Sequence, residues 1–122
     1  DMKKLGGGKI INIGSYSWML PQGGMAGYAT AKSAVMGLTR TLARDLGIYN
    51  INVNCVVPGW IITERQKELW LNPKIEKATL EKQCIKRLLE PKDIANIVMF
   101  FASNQSSAIS AQNYVVDGGI MV

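Results

Sequence analysis

The sequence predicts an α/β fold: three parallel strands with intervening helices, forming half of a doubly wound parallel sheet. Three observations carry that reading. Short β-branched runs recur at Lys9–Ile13 ("KIINI"), Ile51–Val57 ("INVNCVV") and Tyr114–Val116 ("YVV"). Each run stops at a turn signal, Gly14, Pro58-Gly59 and Asp117-Gly118-Gly119 in turn, as buried parallel strands do. The segments between them show helical spacing, and a strand–helix–strand unit within one sheet is a right-handed crossover between parallel strands.

The elements follow in order. The first strand opens after the triple glycine Gly6–Gly8 and is expected to leave an open sheet edge. The first helix spans Met25 to Leu46, with Ala29, Leu38, Leu42 and Leu46 at helical spacing and Gly47 as its stop. Thr63 is placed to cap a second helix, and Glu64 supports it from the first turn. A third helix is expected from Pro73 to about Arg87. The fourth opens at Pro91, a residue suited to the first helical turn, and runs through Ile94, Ile97, Val98 and Phe101. Three strands are few for a doubly wound domain, so the chain reads as the second half of one.

Composition removes several classes of function. The 122 residues are 48% hydrophobic, enough for a core, yet no apolar run approaches the roughly 18 residues of a membrane span. The opening "DMKKLGGGK" lacks the apolar stretch of a signal peptide, and a cytoplasmic location is expected. The net charge of +5 has no nucleic-acid pattern behind it. From Glu64 to Lys92 the cations alternate with Glu68, Glu76, Glu81 and Glu90, as on a solvated helix surface. Cys55 and Cys84 both have apolar residues close by and read as two reduced core thiols. With no histidine and no paired cysteines, zinc chemistry and histidine-dependent triads are excluded, and no metal is expected.

Tyr28 and Lys32, in "GYATAKSA", stand four residues apart and therefore share a helix face. An ammonium beside a phenol stabilises the phenolate, which suits general acid–base work. Spacing alone leaves a second reading open, two polar residues on an ordinary helix: random placement gives roughly 0.3 such pairs in a chain like this. Context adds weight. Ser15 directly follows a strand's C-terminal end, where ligands sit in open α/β sheets, and a serine hydroxyl there can hydrogen-bond a substrate oxygen.

Together these residues resemble the short-chain dehydrogenase/reductase family. Its Tyr-x-x-x-Lys motif is similar to "YATAK", and its serine lies thirteen residues before the tyrosine, at Ser15. Its Asn-x-x-x-Pro-Gly motif matches "NCVVPG" from Asn54 to Gly59, Thr63 follows at the expected distance, and "DGG" recurs at Asp117–Gly119. The resemblance implies a Rossmann-like sheet and hydride transfer between NAD or NADP and an alcohol or carbonyl. It implies that Tyr28 moves the proton, Lys32 activates it and holds the nicotinamide ribose, and Ser15 orients the substrate. Ser17 is the rival serine, and the spacing favours Ser15. Pro58, Gly59, Ile61 and Thr63, with Tyr28 and Lys32, are implied to line the cofactor.

Three family features have no match. "LGGGK" precedes a strand, whereas a phosphate-binding glycine turn follows one and opens a helix. The family's Asn-Asn-Ala-Gly motif and the asparagine of its proton relay are missing as well. Residues 1–122 are thus expected to be the C-terminal catalytic part, with the nucleotide-binding half absent and little activity alone. The alternative is a non-catalytic truncated or proteolysed fragment that only self-associates. "GSYSW", "VVPGW" with "TERQKELW", and "QCIKRLLEP" resemble the subgroup that oxidises aldoses at C1 to lactones. Trp18, Trp60 and Ser17, with Gln22, are the expected sugar contacts; the tryptophans equally suit a core or an interface. Reduction of a ketone or 3-oxoacyl substrate is the alternative chemistry, and a homo-oligomer, dimer or tetramer, is expected.

Overall fold

Strand β2 (Ile51–Pro58) is the middle of a three-stranded parallel sheet, with β1 (Gly8–Ile13) on one side and β3 (Asn113–Val116) on the other. The computed structural model describes residues 1–121. Four helices complete it: α1 (Ala26–Leu46), α2 (Glu64–Leu69), α3 (Pro73–Lys82) and α4 (Pro91–Ala102). Single 3-10 turns lie at Tyr16–Trp18, Gly47–Tyr49 and Asn104–Ser106. Among the described residues no helix is long and apolar enough to cross a membrane.

The sheet register decides where a site can form. Ile13 pairs with Val56, and Pro58 pairs with Val116, so all three strands finish on one edge of the sheet. Val53, Cys55, Val56 and Val57 are fully buried, with only buried Asn54 breaking the apolar run, as expected of a strand covered on both faces. Ala43, Ile51 and Val53 form the core on one face, with Ile10, Leu42, Leu46 and Ala111 packed around them. Helix α4 covers the other face with Phe101, whose ring meets Tyr114 edge-on at 5.9 Å. Asn54, midway along β2, ties the segment before β3 to the sheet: its side chain donates to Ile109 O and accepts from the amide of Gln112.

Four details depart from the sequence reading. Leu38 is half exposed, because one residue turns a helix by about 100° and moves it off the stripe centred on buried Thr39. Helix α3 stops at Lys82 and does not reach Arg87. There the buried side chain of Gln83 donates to Ile85 O and Arg87 O, so the backbone wraps around its amide. Lys86 turns back onto the carbonyls of Leu80, Glu81 and Gln83, covering the helix's unpaired C-terminal acceptors. Helix α1 does end at Leu46, but Gly47 remains right-handed and starts a 3-10 turn; the left-handed residue is Asn50, at φ 57°. Cys84 is not a core thiol: it is exposed and donates to Gly119 O at 3.3 Å, whereas Cys55 is buried.

The start of α4 is fixed by a forked ion pair. Arg87 donates to both oxygens of Asp93 at 2.7 and 2.8 Å, and the Glu90 amide donates to the same carboxylate. The Arg87 hydrogen bonds, followed by the Glu90 amide, hold the Asp93 carboxyl down at about 2. A depressed carboxyl stabilises the fold above its unfolded value, near 4, and the contribution disappears as pH falls toward 2. Urea midpoints measured from pH 5 to pH 2 should therefore fall more steeply in the native chain than in Asp93→Asn. Parallel pH curves for the two proteins would contradict this.

Candidate active site

The C-terminal edge of the sheet gathers the predicted residues because α1 runs back across it. Lys32 Nζ donates to Ile13 O, the last carbonyl of β1, at 2.9 Å. That bond places the ammonium at the strand end, two residues before Ser15. Tyr28 lies one turn further out, and its ring centroid is 5.8 Å from Lys32 Nζ. Tyr28 is on the same side of α1 as Lys32 and buried Thr39, yet it is 51% exposed.

Ser15 and Ser17 form one unit. Both are buried, their hydroxyl oxygens are 3.0 Å apart, and the Ser17 amide donates to Ser15 Oγ at 3.2 Å. Hydroxyl hydrogens rotate, so either serine can donate onward while the other holds it. The rival serines are thus hydrogen-bonded partners at a single place. Gly14 brings them there: its amide donates to Val56 O at 2.7 Å, and a Cβ on it would lie 3.0 Å from Cys55 Sγ. Burial pushes the Cys55 thiol up, opposed by the Gly14 amide and Thr39.

Pro58 and Gly59 end β2 beside this turn. Gly59 donates its amide to Val116 O at 2.9 Å, and a Cβ added to it would stand 2.6 Å from Asp117 Cβ. Only a glycine lets these two strand ends approach so closely. Ile61 makes a parallel bridge with Leu89. Thr63 caps α2, with Oγ1 accepting from the Gln66 amide at 3.3 Å, so its hydroxyl hydrogen stays available to donate. Trp60 is half-buried and its indole donates to Gln66 Oε1 at 2.7 Å, while Trp18 is partly exposed. Gln22 is exposed on the loop before α1.

Two contributors carry no sequence motif. Gln66 fixes the Trp60 indole through a side-chain contact that spacing alone does not announce. Tyr16 follows Ser15 and is half-buried against the Gly59 turn. Burial and then the Asp117 carboxylate raise its hydroxyl above the ordinary phenol value, and the Trp60 backbone amide opposes them. Asp117 is itself buried, accepting from the amides of Gly119 and Met121 at 2.8 Å each.

A family profile described as Enoyl-(Acyl carrier protein) reductase matches residues 2–121. The chain is 42% identical over 119 residues to a probable galactose dehydrogenase of Rhizobium meliloti, covering 98% of this chain and 46% of that protein. It is 44% identical over 118 residues to D-xylose 1-dehydrogenase of Caulobacter vibrioides, covering 97% and 47%. It superimposes with a TM-score of 0.90, at 41% identity, on 7α-hydroxysteroid dehydrogenase complexed with NADH and 7-oxo glycochenodeoxycholic acid, covering 97% and 46%. The chain thus spans about half the length of the proteins it matches.

The close approach of Gly59 to Asp117 has a measurable consequence. Gly59→Ala should destabilise the chain by about 1–3 kcal/mol, the usual penalty for overpacking, read as a lowered urea midpoint. An unchanged midpoint would show that the two strand ends can move apart freely.

Proposed function

The chain belongs to the short-chain dehydrogenase/reductase family, and on that premise we propose that it supplies the C-terminal catalytic half of a nicotinamide-dependent oxidoreductase. The observation that carries this reading is the Lys32 bond to the last carbonyl of β1, which sets ammonium, phenol and serine pair around one strand end. The available donors suit a dinucleotide. Lys32 spends one ammonium hydrogen on Ile13 O and keeps two for ribose hydroxyls, and the Thr63 hydroxyl is free to donate to an amide oxygen.

NAD or NADP, when bound, supplies the acceptor or donor of hydride. The chain's own residues manage the proton. During oxidation Tyr28 Oη takes the hydrogen of the substrate hydroxyl, and in reduction it returns it. The Lys32 ammonium lies beside the Tyr28 ring, and the Ser15–Ser17 pair donates to the substrate oxygen as charge develops there. Pro58, Gly59 and Ile61 would line the nicotinamide cofactor.

For the substrate we favour an aldose oxidised at C1. The two sugar dehydrogenases above support it, and so does an indole at Trp60 held still by Gln66, which offers a flat face to the C–H side of a pyranose. The steroid enzyme, similar to nearly the same degree, keeps reduction of a cyclic ketone as the second reading. Exposed apolar side chains at Leu38 on α1 and Met99 on α4 suit burial against a second copy in a homo-oligomer.

A screen of the full-length protein against aldoses and cyclic ketones, with both cofactors, tests the substrate. Turnover of D-xylose or galactose is the expected result, and turnover of ketones alone would overturn the sugar assignment. Tyr28→Phe should lower turnover by about 10²-fold or more while the cofactor still binds. Near-normal activity in that variant would remove Tyr28 from proton transfer.

A further inference from the structure

Tyr16 has no place in the mechanism above, yet it stands where three strand ends meet. It is the first residue of the 3-10 turn that follows Ser15, and its carbonyl accepts from the Met19 amide at 2.8 Å. The edge of its ring, at Cε2, is 3.5 Å from where a Cβ on Gly59 would sit, so the ring rests on the bare face of that glycine. Its hydroxyl experiences both the Trp60 amide, on the strand-end turn of β2, and the Asp117 carboxylate, at the end of β3. Asp117 cannot swing aside, since both its oxygens are held by the amides of Gly119 and Met121. Gly59 is likewise tied to Val116 O.

We propose that Tyr16 is a positioning residue: its ring, seated on Gly59 beside Asp117, keeps the Ser15–Ser17 turn in register with the Pro58–Thr63 segment. The inference rests on the oxidoreductase reading, because register between those segments matters only if the serine pair and the cofactor wall act on one substrate. The Gly14 amide bond to Val56 O ties the chain to β2 before the serines, and the Tyr16 ring adds a contact to the β2 end beyond them. Misplacement of a reacting group by about 1 Å can lower a rate by about 10²-fold. Removing the ring should therefore appear in turnover before it appears in cofactor binding.

The test uses the full-length enzyme with Tyr16→Ala and Tyr16→Phe, read by steady-state kinetics and by amide hydrogen exchange. Tyr16→Ala is expected to lower kcat by about 10- to 100-fold with the cofactor KM within about threefold of native. It should speed exchange both in residues 14–19 and in residues 58–63. Tyr16→Phe keeps the ring and should return kcat to within about threefold of native. If the alanine variant does not fold, Tyr16→Leu, which fills more of the space but lacks the flat ring, carries the same expectations. A kcat within twofold of native after ring removal would overturn the proposal. So would unchanged exchange in residues 58–63, or a phenylalanine variant as impaired as the alanine one. If the native enzyme turns over no alcohol or carbonyl, the oxidoreductase reading fails, and the exchange data alone still decide whether Tyr16 couples the two segments.

Discussion

The hydrogen-bonded ladders on the two sides of β2 place the last residue of every strand on one edge of the sheet, and each part of the candidate site follows from that alignment. Had β1 been shifted by one residue against β2, its side chains would have exchanged faces and Ser15 would have left the Gly59 turn. The register is well determined because β2 is buried on both sides and cannot slide without exposing valines. Contacts finer than the ladders then set the geometry. Gly59 allows a closeness to Asp117 that a side chain would prevent, and Gly14 sits tightly against Cys55 and Val57.

With no histidine in the chain, the proposed chemistry calls for a cation that keeps its charge close to a phenol. The partner of Lys32 suits that need. A backbone carbonyl orients the ammonium without cancelling it, whereas a carboxylate at the same distance would neutralise most of its field. Lys67 shows the contrast on the surface, where Glu64 pairs with its ammonium at 2.8 Å. The serine pair follows the same economy of means, since each hydroxyl holds the other in place with no charge involved.

The strands, α1 and the openings of α2 and α4 were legible in the sequence because each rests on local chemistry: β-branched runs ending in glycine or proline, a threonine cap, a proline in the first turn. The proposed catalytic trio, Ser15, Tyr28 and Lys32, was legible as a pattern because fixed spacings carry it. What stayed hidden depends on contacts distant in sequence. Gln83 looks like one more helix-forming residue, and only its burial against Gly118 explains why α3 stops before it. Cys84 has apolar neighbours in sequence, but its chain segment lies on the surface, so those neighbours do not enclose it. Tyr16 belongs to no motif, and its role depends on a glycine more than forty residues away.

In these residues, the free side of β1 is a row of amides and carbonyls that no strand answers. Natural sheets discourage unwanted additions at such a row with charge, and β1 has one charged residue, Lys9. Its ammonium is already drawn to Asn52 Oδ1 at 2.7 Å, back toward the middle strand. The bond that steadies β1 against its neighbour therefore removes the gatekeeper from the other side. Within residues 1–121, Gly8–Ile13 is therefore the side of the sheet most open to a further strand, and the segment that delivers Ser15 to its place is the one such a strand would join.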